Sequence, residues 1–234
     1  MTIKRLDNVT LIAVGSTHVR RTIKALEYSM QGIQFAESKI VTHKNPFTTK
    51  TPIQYEPCDE LTSSKAYSHY ILYNLRKHVN TEFCLLIQYD GFVINPDKWE
   101  DKFLEWDYIG AAWPIRENAY IDPFGNHQRV GNGGFTLRSR KLLEVPHIEE
   151  IPFEVNQGTF YKHMNAGYYN EDGNICVHNR HLFEKHGVKF APVEVAVKFS
   201  QELKVPESEG VIPFGFHCYL PSGTVLKRTK NEHN

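Results

Sequence analysis

The N-terminal part of the chain alternates between apolar runs and amphipathic segments, and this alternation limits the possible folds more than any other feature. Apolar runs at 9–16, 38–44 and 83–88 have the length and composition of buried strands. Between them, the segments 19–30 and 63–79 carry apolar residues at helical spacing. The order β-α-β-α-β predicts an α/β fold with a mostly parallel sheet covered by helices. Ligands of such sheets bind beyond the carboxyl ends of the strands.

Length and charge indicate the number of domains and the class of partner. The chain has 234 residues, of which 41% are hydrophobic and 23% charged, and its formal net charge is +0. This size and this apolar fraction predict one globular domain. A balanced charge does not favour binding to nucleic acid, so we expect a small or anionic ligand that is held by local groups.

The cysteines and the apolar runs indicate the cellular location. Cys58, Cys84, Cys176 and Cys218 are far apart and form no C-x-x-C pair, which predicts reduced thiols in a reducing compartment. No run approaches the roughly 20 apolar residues of a transmembrane helix, and the N-terminus leads directly into a predicted strand. We therefore expect a soluble, cytoplasmic protein without a transmembrane segment.

A carboxylate follows the third predicted strand. The segment FCLLIQYDG is apolar up to Gln88 and then places Asp90 before Gly91. Because this run reads as the central strand of the sheet, we expect Asp90 at the edge where ligands bind. Two interpretations stay open. The carboxylate either accepts backbone hydrogen bonds in a turn, or binds a divalent cation that neutralises the phosphates of a nucleotide.

The second half of the chain contains a glycine-rich segment, VGNGGFTLRSR, at 130–140. Its three glycines around Asn132 indicate a place where the backbone approaches another group closely, although a turn with a bulge gives the same pattern. The segment lacks the Gly-Lys-Ser/Thr of a P-loop, and it does not have the G-x-G-x-x-G spacing of a dinucleotide site. It therefore predicts close packing without fixing the ligand.

Two further polar features come later in the chain. Asn170, Glu171 and Asp172 precede a segment of helical pattern, where the helix dipole favours ionised carboxylates. These residues either cap that helix or supply a general base for a hydroxyl nucleophile. His217, in the apolar segment PFGFHCY, is either a core residue or a metal ligand.

Five of these segments together resemble a known family. In chain order, QYDGFVINPDKW, DYIGAAWP, VGNGGFTLRSRKLL, NEDGNICV and FGFH resemble an uncharacterised glycosyltransferase-like family of bacteria and viruses, which is itself similar to GT-A glycosyltransferases. The resemblance runs from about Val9 to His217. It implies a single GT-A-like, Rossmann-like domain over 1–234, with a mostly parallel central sheet flanked by helices. Its nucleotide-binding half would span about 9–95 and its acceptor-side half about 96–220, before a polar tail at 221–234.

The resemblance also implies how the donor would be bound. Gln88, Tyr89 and Asp90 match the D-x-D motif that holds Mn²⁺ or Mg²⁺ on the diphosphate of a nucleotide sugar, and His217 matches a late metal ligand of several GT-A families. A carboxamide cannot supply charge, so Asp90 would be the main anionic ligand of this divalent cation. The residues implied to contact the base and ribose are Val14, Gly15, Ser16, Thr17 and Arg20.

The chemistry follows from two more matches. Gly133 and Gly134 resemble the loop that lies against the donor sugar, and Glu171 and Asp172 resemble the E-D motif of inverting enzymes. Asp172 would then be the base that deprotonates the acceptor hydroxyl, with Glu171 binding donor or acceptor hydroxyls. The implied activity is metal-assisted, inverting transfer of a sugar from a nucleotide sugar, with a UDP-sugar favoured, to a glycan, a glycoconjugate or another acceptor. Retention stays open, because the sequence does not fix the face on which Asp172 lies.

Two other functions stay open. A non-catalytic sugar-nucleotide binding module would keep the pocket without the chemistry, and Gln88 in place of the first acid favours it. A nucleotidyltransferase would also place acids at strand ends beside a metal, but its early basic glycine-rich loop is poorly matched by VGSTHVRR. We expect the polar tail to be solvated, and its positive charges leave peripheral contact with an anionic membrane open.

Overall fold

The structure, a computed structural model, describes residues 3–117, 119–154, 170–221 and 224, and its centre is a six-stranded sheet. In chain order the strands are β1 (Lys4–Val14), β2 (Ile33–Thr42), β3 (Gln54–Pro57), β4 (Phe83–Ile87), β5 (Gly91–Val93), β6 (Tyr108–Ile109), β7 (Ala111–Ala112), β8 (Val130–Gly131), β9 (Phe135–Ser139), β10 (Ser200–Gln201) and β11 (Gly215–His217). The helices are α1 (Val19–Ser29), α2 (Ser64–Asn74), α3 (Arg140–Ile148), α4 (Glu171–Gly173), α5 (Arg180–Lys185) and α6 (Val193–Phe199).

The central sheet has the order β3-β2-β1-β4-β9-β6. Strand β1 pairs in parallel with β2 and with β4, and β2 pairs in parallel with β3. Strand β9 is antiparallel to both of its neighbours, β4 and β6, so it alone among these six strands runs in the opposite direction. The predicted α/β class, with a mostly parallel central sheet flanked by helices, is confirmed.

The central position of β4 explains its apolar sequence. Cys84 and Leu86 belong to a hydrophobic cluster that includes residues of α2, α3 and α5. Leu85 and Ile87 point to the other face and belong to a cluster that includes residues of α1. Both faces of β4 are therefore buried, which requires a continuous apolar run rather than an alternating one. The run ends where the strand reaches the edge of the sheet.

Three segments of the sequence are divided differently in the structure. The segment 45–61, between the second predicted strand and the second predicted helix, contains the short edge strand β3. The helix predicted at 63–79 ends as an α-helix at Asn74 and continues as a 3₁₀ turn, Leu75–His78. The segment DYIGAAWP is divided between β6 in the central sheet and β7, which pairs with β8. Among the described residues, no helix has both the length and the apolar character needed to cross a membrane.

A second, three-stranded sheet brings the C-terminal segment to the end of β4. Strand β11 lies between β10 and β5, parallel to the former and antiparallel to the latter. Its register places His217 opposite Gly91. His217 therefore lies beside the turn that contains Asp90, although the two residues are far apart in the sequence.

Candidate functional site

A cavity of about 280 Å³ opens where β1 and β4 end. The residues predicted to bind a nucleotide meet there, because the loops that follow two parallel neighbouring strands leave the sheet at the same edge. Those that line the cavity are Val14, Gly15, Ser16, Thr17, Gln88 and Tyr89. Its opposite side is formed by the start of α2 and the residues before it, from Leu61 to Tyr67. Ser16 fixes that side, since its Oγ accepts a hydrogen bond from the Leu61 backbone N–H (2.8 Å).

Arg21 contacts Tyr89, one of the residues that line this cavity. The guanidinium carbon of Arg21 lies 4.6 Å from the centre of the Tyr89 ring, and the His18 ring is 4.4 Å from the same ring. Arg20, which the sequence resemblance singled out, and Arg21 are both exposed, and neither is among the described residues that line the cavity. The structure thus brings Arg21, rather than Arg20, to Tyr89 with a cation–π geometry.

Gln88, at the position of the first D-x-D acid, holds the end of β4 in place. Its side-chain Nε2 donates to the hydroxyl of Tyr67 on α2 (2.9 Å), and its backbone N–H donates to Gly134 O (2.9 Å). Burial raises the pKa of Tyr67, so this hydroxyl stays neutral and can accept the hydrogen bond. The amide therefore links β4, α2 and the glycine-rich segment without adding charge.

Asp90 and His217 meet at the turn after β4. The Nε2 atom of His217 is 3.6 Å from Oδ1 of Asp90, and its Nδ1 is 3.1 Å from Oε1 of Glu202. Asp90 Oδ1 is buried and accepts no hydrogen bond from any residue that the structure describes. Burial lowers the pKa of His217, but its polar contacts with Asp90, Cys218 and Glu202 outweigh the burial and raise that pKa to about 12. An imidazolium between two carboxylates is thus the favoured state without a cation.

The glycine-rich segment touches this cluster and also the acidic residues at the start of α4. A Cβ atom on Gly134 would overlap the imidazole of His217, and a Cβ on Gly133 would overlap the carboxylate of Glu171. Asn132, at φ 76°, shapes the turn, since its Oδ1 accepts a hydrogen bond from the Gly134 N–H (2.7 Å). The predicted close approach at Gly133 and Gly134 is therefore to side chains of the protein itself.

Asp172 is a partly buried carboxylate on the other side of Gly133. Its Oδ2 accepts a hydrogen bond from the Gly133 N–H (3.1 Å), and its Oδ1 accepts one from the Gly173 N–H (2.8 Å). Burial, followed by the negative charges of Glu171 and Glu202, raises the pKa of Asp172 to about 7. A carboxylate with this pKa can accept a proton at neutral pH and release it again.

Glu171 lies behind Asp172 and is 3% exposed. Its Oε1 is 3.4 Å from Nη2 of Arg138, which is fully buried on β9, and its Oε2 accepts from Ser68 Oγ (3.4 Å). The positive charge of Arg138 offsets the cost of burying the Glu171 carboxylate. Both of its oxygens already have partners, and its negative charge acts on Asp172.

One comparison with known proteins gives the family of this chain. A family model described as "Protein of unknown function (DUF5672)" matches residues 51–217. The chain belongs to this family. No curated protein matches it.

Solved structures with a similar fold include glycosyltransferases at low sequence identity. The glycosyltransferase GlyE of Streptococcus pneumoniae TIGR4 is 13% identical, with a TM-score of 0.46 over 96% of this DUF5672 chain and 56% of its own. The mannosyltransferase PcManGT of Pyrobaculum calidifontis, solved with GDP-Man and Mn²⁺, is 10% identical, with a TM-score of 0.42 over 78% of this chain and 53% of its own. The chain thus spans little more than half the length of either.

Among the residues of this DUF5672 site that were not predicted from the sequence are Glu202, Arg138 and Cys218. Glu202 and Arg138 reach the site through pairing between distant strands, and no local pattern marks them. Cys218 is different, because it directly follows His217 and could have been considered with it. All three contact a residue that the sequence did indicate.

Proposed function

We propose that this chain is a glycosyltransferase that moves a sugar from a nucleotide-sugar donor to a hydroxyl group of a glycan or another acceptor, with the help of a divalent cation. One observation carries the proposal: Gly134 lies against His217 of the Asp90 cluster, while the N–H of the neighbouring Gly133 donates to Asp172. A cluster of side chains that could bind a metal ion therefore lies next to Gly134, and a carboxylate with a pKa of about 7 lies next to Gly133. Transfer from a charged donor to a hydroxyl needs both groups close together.

The donor side of the site would be the cavity at the ends of β1 and β4. Its floor is the loop from Val14 to Thr17, and Tyr89 offers an aromatic ring for a nucleobase or ribose. Arg21, stacked on Tyr89, supplies positive charge next to the cavity. A nucleoside diphosphate combines a flat ring with negative charge, and these residues match both properties.

The residues that would hold a divalent cation are Asp90 and His217. The buried Oδ1 of Asp90 lacks a hydrogen-bond donor among the described residues, and a cation would satisfy it. Gly134 packs against the His217 ring, because any side chain at this position would overlap the ring. Carboxylate and imidazole are ordinary ligands for Mn²⁺ and related ions. When bound, the cation would neutralise the charge that develops on the leaving diphosphate.

Asp172 would be the general base. As the acceptor oxygen forms its bond to the anomeric carbon and the bond to the diphosphate breaks, the carboxylate of Asp172 takes the hydroxyl proton. This kind of proton transfer contributes on the order of 10²- to 10⁴-fold to the rate. The backbone N–H groups of Gly133 and Gly173 hold the carboxylate in one orientation. A base on the face opposite the leaving group gives inversion of configuration, which we include in the proposal.

The direct test is release of nucleoside diphosphate from a panel of nucleotide sugars, beginning with UDP-sugars, with Mn²⁺ or Mg²⁺ and candidate glycan acceptors. Asp172→Asn should lower the turnover by at least about 10²-fold, because it removes the base. Asp122→Asn is the matched control, since the described residues that donate hydrogen bonds to Asp122 all lie in its own loop, from Phe124 to Gln128. Unchanged turnover in Asp172→Asn would contradict the assignment of the base. Binding without turnover of any donor would instead favour the non-catalytic binding module.

A further inference from the structure

Cys218 extends the cluster formed by Asp90 and His217. Its Sγ atom is 3.5 Å from each of the two ring nitrogens of His217, Nδ1 and Nε2, and 4.0 Å from Oδ2 of Asp90. Cys218 has φ 62°, a left-handed conformation that is uncommon for a residue with a side chain. Its backbone N–H donates to the Asp90 carbonyl oxygen (2.9 Å), so the turn is tied to the residue that the thiol faces. Unfavourable backbone conformations of this kind are concentrated at functional sites.

The separations within the cluster fit a single metal ion. Ligand atoms of the three side chains all lie within 4.8 Å of one another. Zinc binds nitrogen and oxygen at about 2.0–2.2 Å and thiolate sulfur at about 2.3 Å, so two of its ligands are at most about 4.5 Å apart. The separations are 3.5 Å for Sγ to Nε2, 3.6 Å for Nε2 to Asp90 Oδ1 and 4.0 Å for Sγ to the other oxygen of Asp90, Oδ2. Each is shorter than this limit, and the fit uses both oxygens of the Asp90 carboxylate.

Glu202 gives the imidazole of His217 an orientation typical of metal ligands. Its Oε1 lies 3.1 Å from Nδ1, and this leaves Nε2 directed toward Asp90. In metal sites the second ring nitrogen of a histidine ligand commonly donates to a carboxylate, which fixes the tautomer and the ring plane. Glu202 follows β10 directly, so the three-stranded sheet places it beside β11.

We propose that Cys218 Sγ is the third protein ligand of this site, beside Asp90 and Nε2 of His217, and that Glu202 is a positioning residue for His217. The inference rests on the metal site of the proposed function, but it does not depend on sugar transfer. On coordination the thiol releases its proton to solvent and binds as thiolate. A set of one oxygen, one nitrogen and one sulfur ligand favours Zn²⁺ or Co²⁺ over Mg²⁺, which prefers oxygen ligands alone.

The test is a titration of the purified, metal-free protein with Co²⁺, followed by its absorption spectrum. A thiolate ligand gives a sulfur-to-cobalt charge-transfer band in the near ultraviolet, and carboxylate and imidazole ligands do not. We expect this band in the wild type, and we expect Zn²⁺, but not excess Mg²⁺, to remove it. Cys218→Ser should lose the band and bind Co²⁺ at least about tenfold more weakly. Cys58→Ser, which changes the other cysteine that is not buried, should leave the band unchanged.

Glu202→Gln separates positioning from ligation. It should keep the charge-transfer band, because the thiolate remains, and should weaken Co²⁺ binding about 10- to 100-fold, as expected for the partner of a histidine ligand. Circular dichroism of each variant controls for folding. Absence of the band in the wild type, or its persistence in Cys218→Ser, would overturn the proposal. Cobalt binding without the band would leave the Asp90–His217 site of the proposed function intact and remove only Cys218 from it.

Discussion

The raised pKa of Asp172 predicts an unusual dependence of stability on pH. A carboxyl group with a folded-state pKa of about 7 and an unfolded value near 3.8 binds more protons in the folded protein between these two pH values. Its contribution to the free energy of unfolding is therefore complete below pH 3.8 and is lost as the pH rises through 7. Asp172→Asn removes the titration, so the difference in stability between variant and wild type must change over the same range.

The magnitude follows from the pKa and from the hydrogen bonds. Moving the pKa from 3.8 to about 7 corresponds to a change of about 4 kcal/mol in the free energy of unfolding. Asparagine also loses one of the two backbone hydrogen bonds, from Gly133 or Gly173, at every pH, which costs about 1 kcal/mol. We therefore expect Asp172→Asn to be less stable than the wild type by about 1 kcal/mol at pH 4. At pH 8 it should be more stable by up to about 3 kcal/mol.

The assay is urea denaturation of both proteins at several pH values from 4 to 8. Asp122→Asn serves as the control: although burial raises the pKa of Asp122, hydrogen bonds from Asn126 and its neighbours lower it overall. Its contribution is present above the unfolded value of 3.8 and is lost only as the pH falls through the lower folded value. The stability difference for Asp122→Asn should therefore be constant between pH 5 and 8. A constant difference for Asp172→Asn over the same range would refute the raised pKa.

Three other changes test separate parts of the site. Gly134→Ala places a methyl group on the His217 ring, so we expect Co²⁺ binding, measured by titration, to weaken at least about tenfold. Arg138→Met leaves Glu171 buried without its ion-pair partner, and we expect urea denaturation to show a loss of about 3–5 kcal/mol. The turnover of nucleotide sugar should fall about tenfold per pH unit below pH 7 and level off above it, as Asp172 loses its proton.

The two substitutions each have a control. Gly125→Ala adds a methyl group at a glycine where nothing lies within 4 Å of the new atom, and should leave metal binding unchanged. Adding Glu171→Gln to Arg138→Met should recover part of the lost stability, because the uncompensated charge is removed. If Gly134→Ala bound metal as tightly as the wild type, the contact of Gly134 with His217 would be contradicted. If the double variant recovered no stability, the ion pair of Arg138 with Glu171 would be contradicted. A turnover that does not change with pH would contradict the role of Asp172 as the base.

The fold could be predicted where the sequence pattern reports burial directly. Strand β4 is apolar because both of its faces are covered, and its position in a parallel sheet then places Asp90 at the ligand-binding edge. Strand β3 was not predicted. It has only four residues, it lies at the sheet edge and it ends at Pro57, so neither alternation nor an apolar run marks it.

The candidate site could be predicted only in part, because its groups come from distant parts of the chain. Loops after neighbouring parallel strands share an edge, which is why Gly15 and Gln88 could be placed together. The contact of His217 with Asp90 depends on the antiparallel register of β11 and β5, which local patterns do not encode, and the resemblance to GT-A enzymes was needed to connect them. Glu202 arrives through the same sheet without a motif of its own.

In the proposed function, Asp90 and a divalent cation bind a nucleoside diphosphate at the end of β4. The most direct test of this binding is thermal denaturation of the wild type and Asp90→Asn with a panel of nucleoside diphosphates, each with Mn²⁺ or with chelator. A ligand at 100 times its dissociation constant stabilises the folded state by about 2.7 kcal/mol. We predict a rise in Tm for the wild type with at least one nucleotide and Mn²⁺, and its loss with chelator or in Asp90→Asn. No rise with any nucleotide, or an equal rise in Asp90→Asn, would contradict the proposed binding.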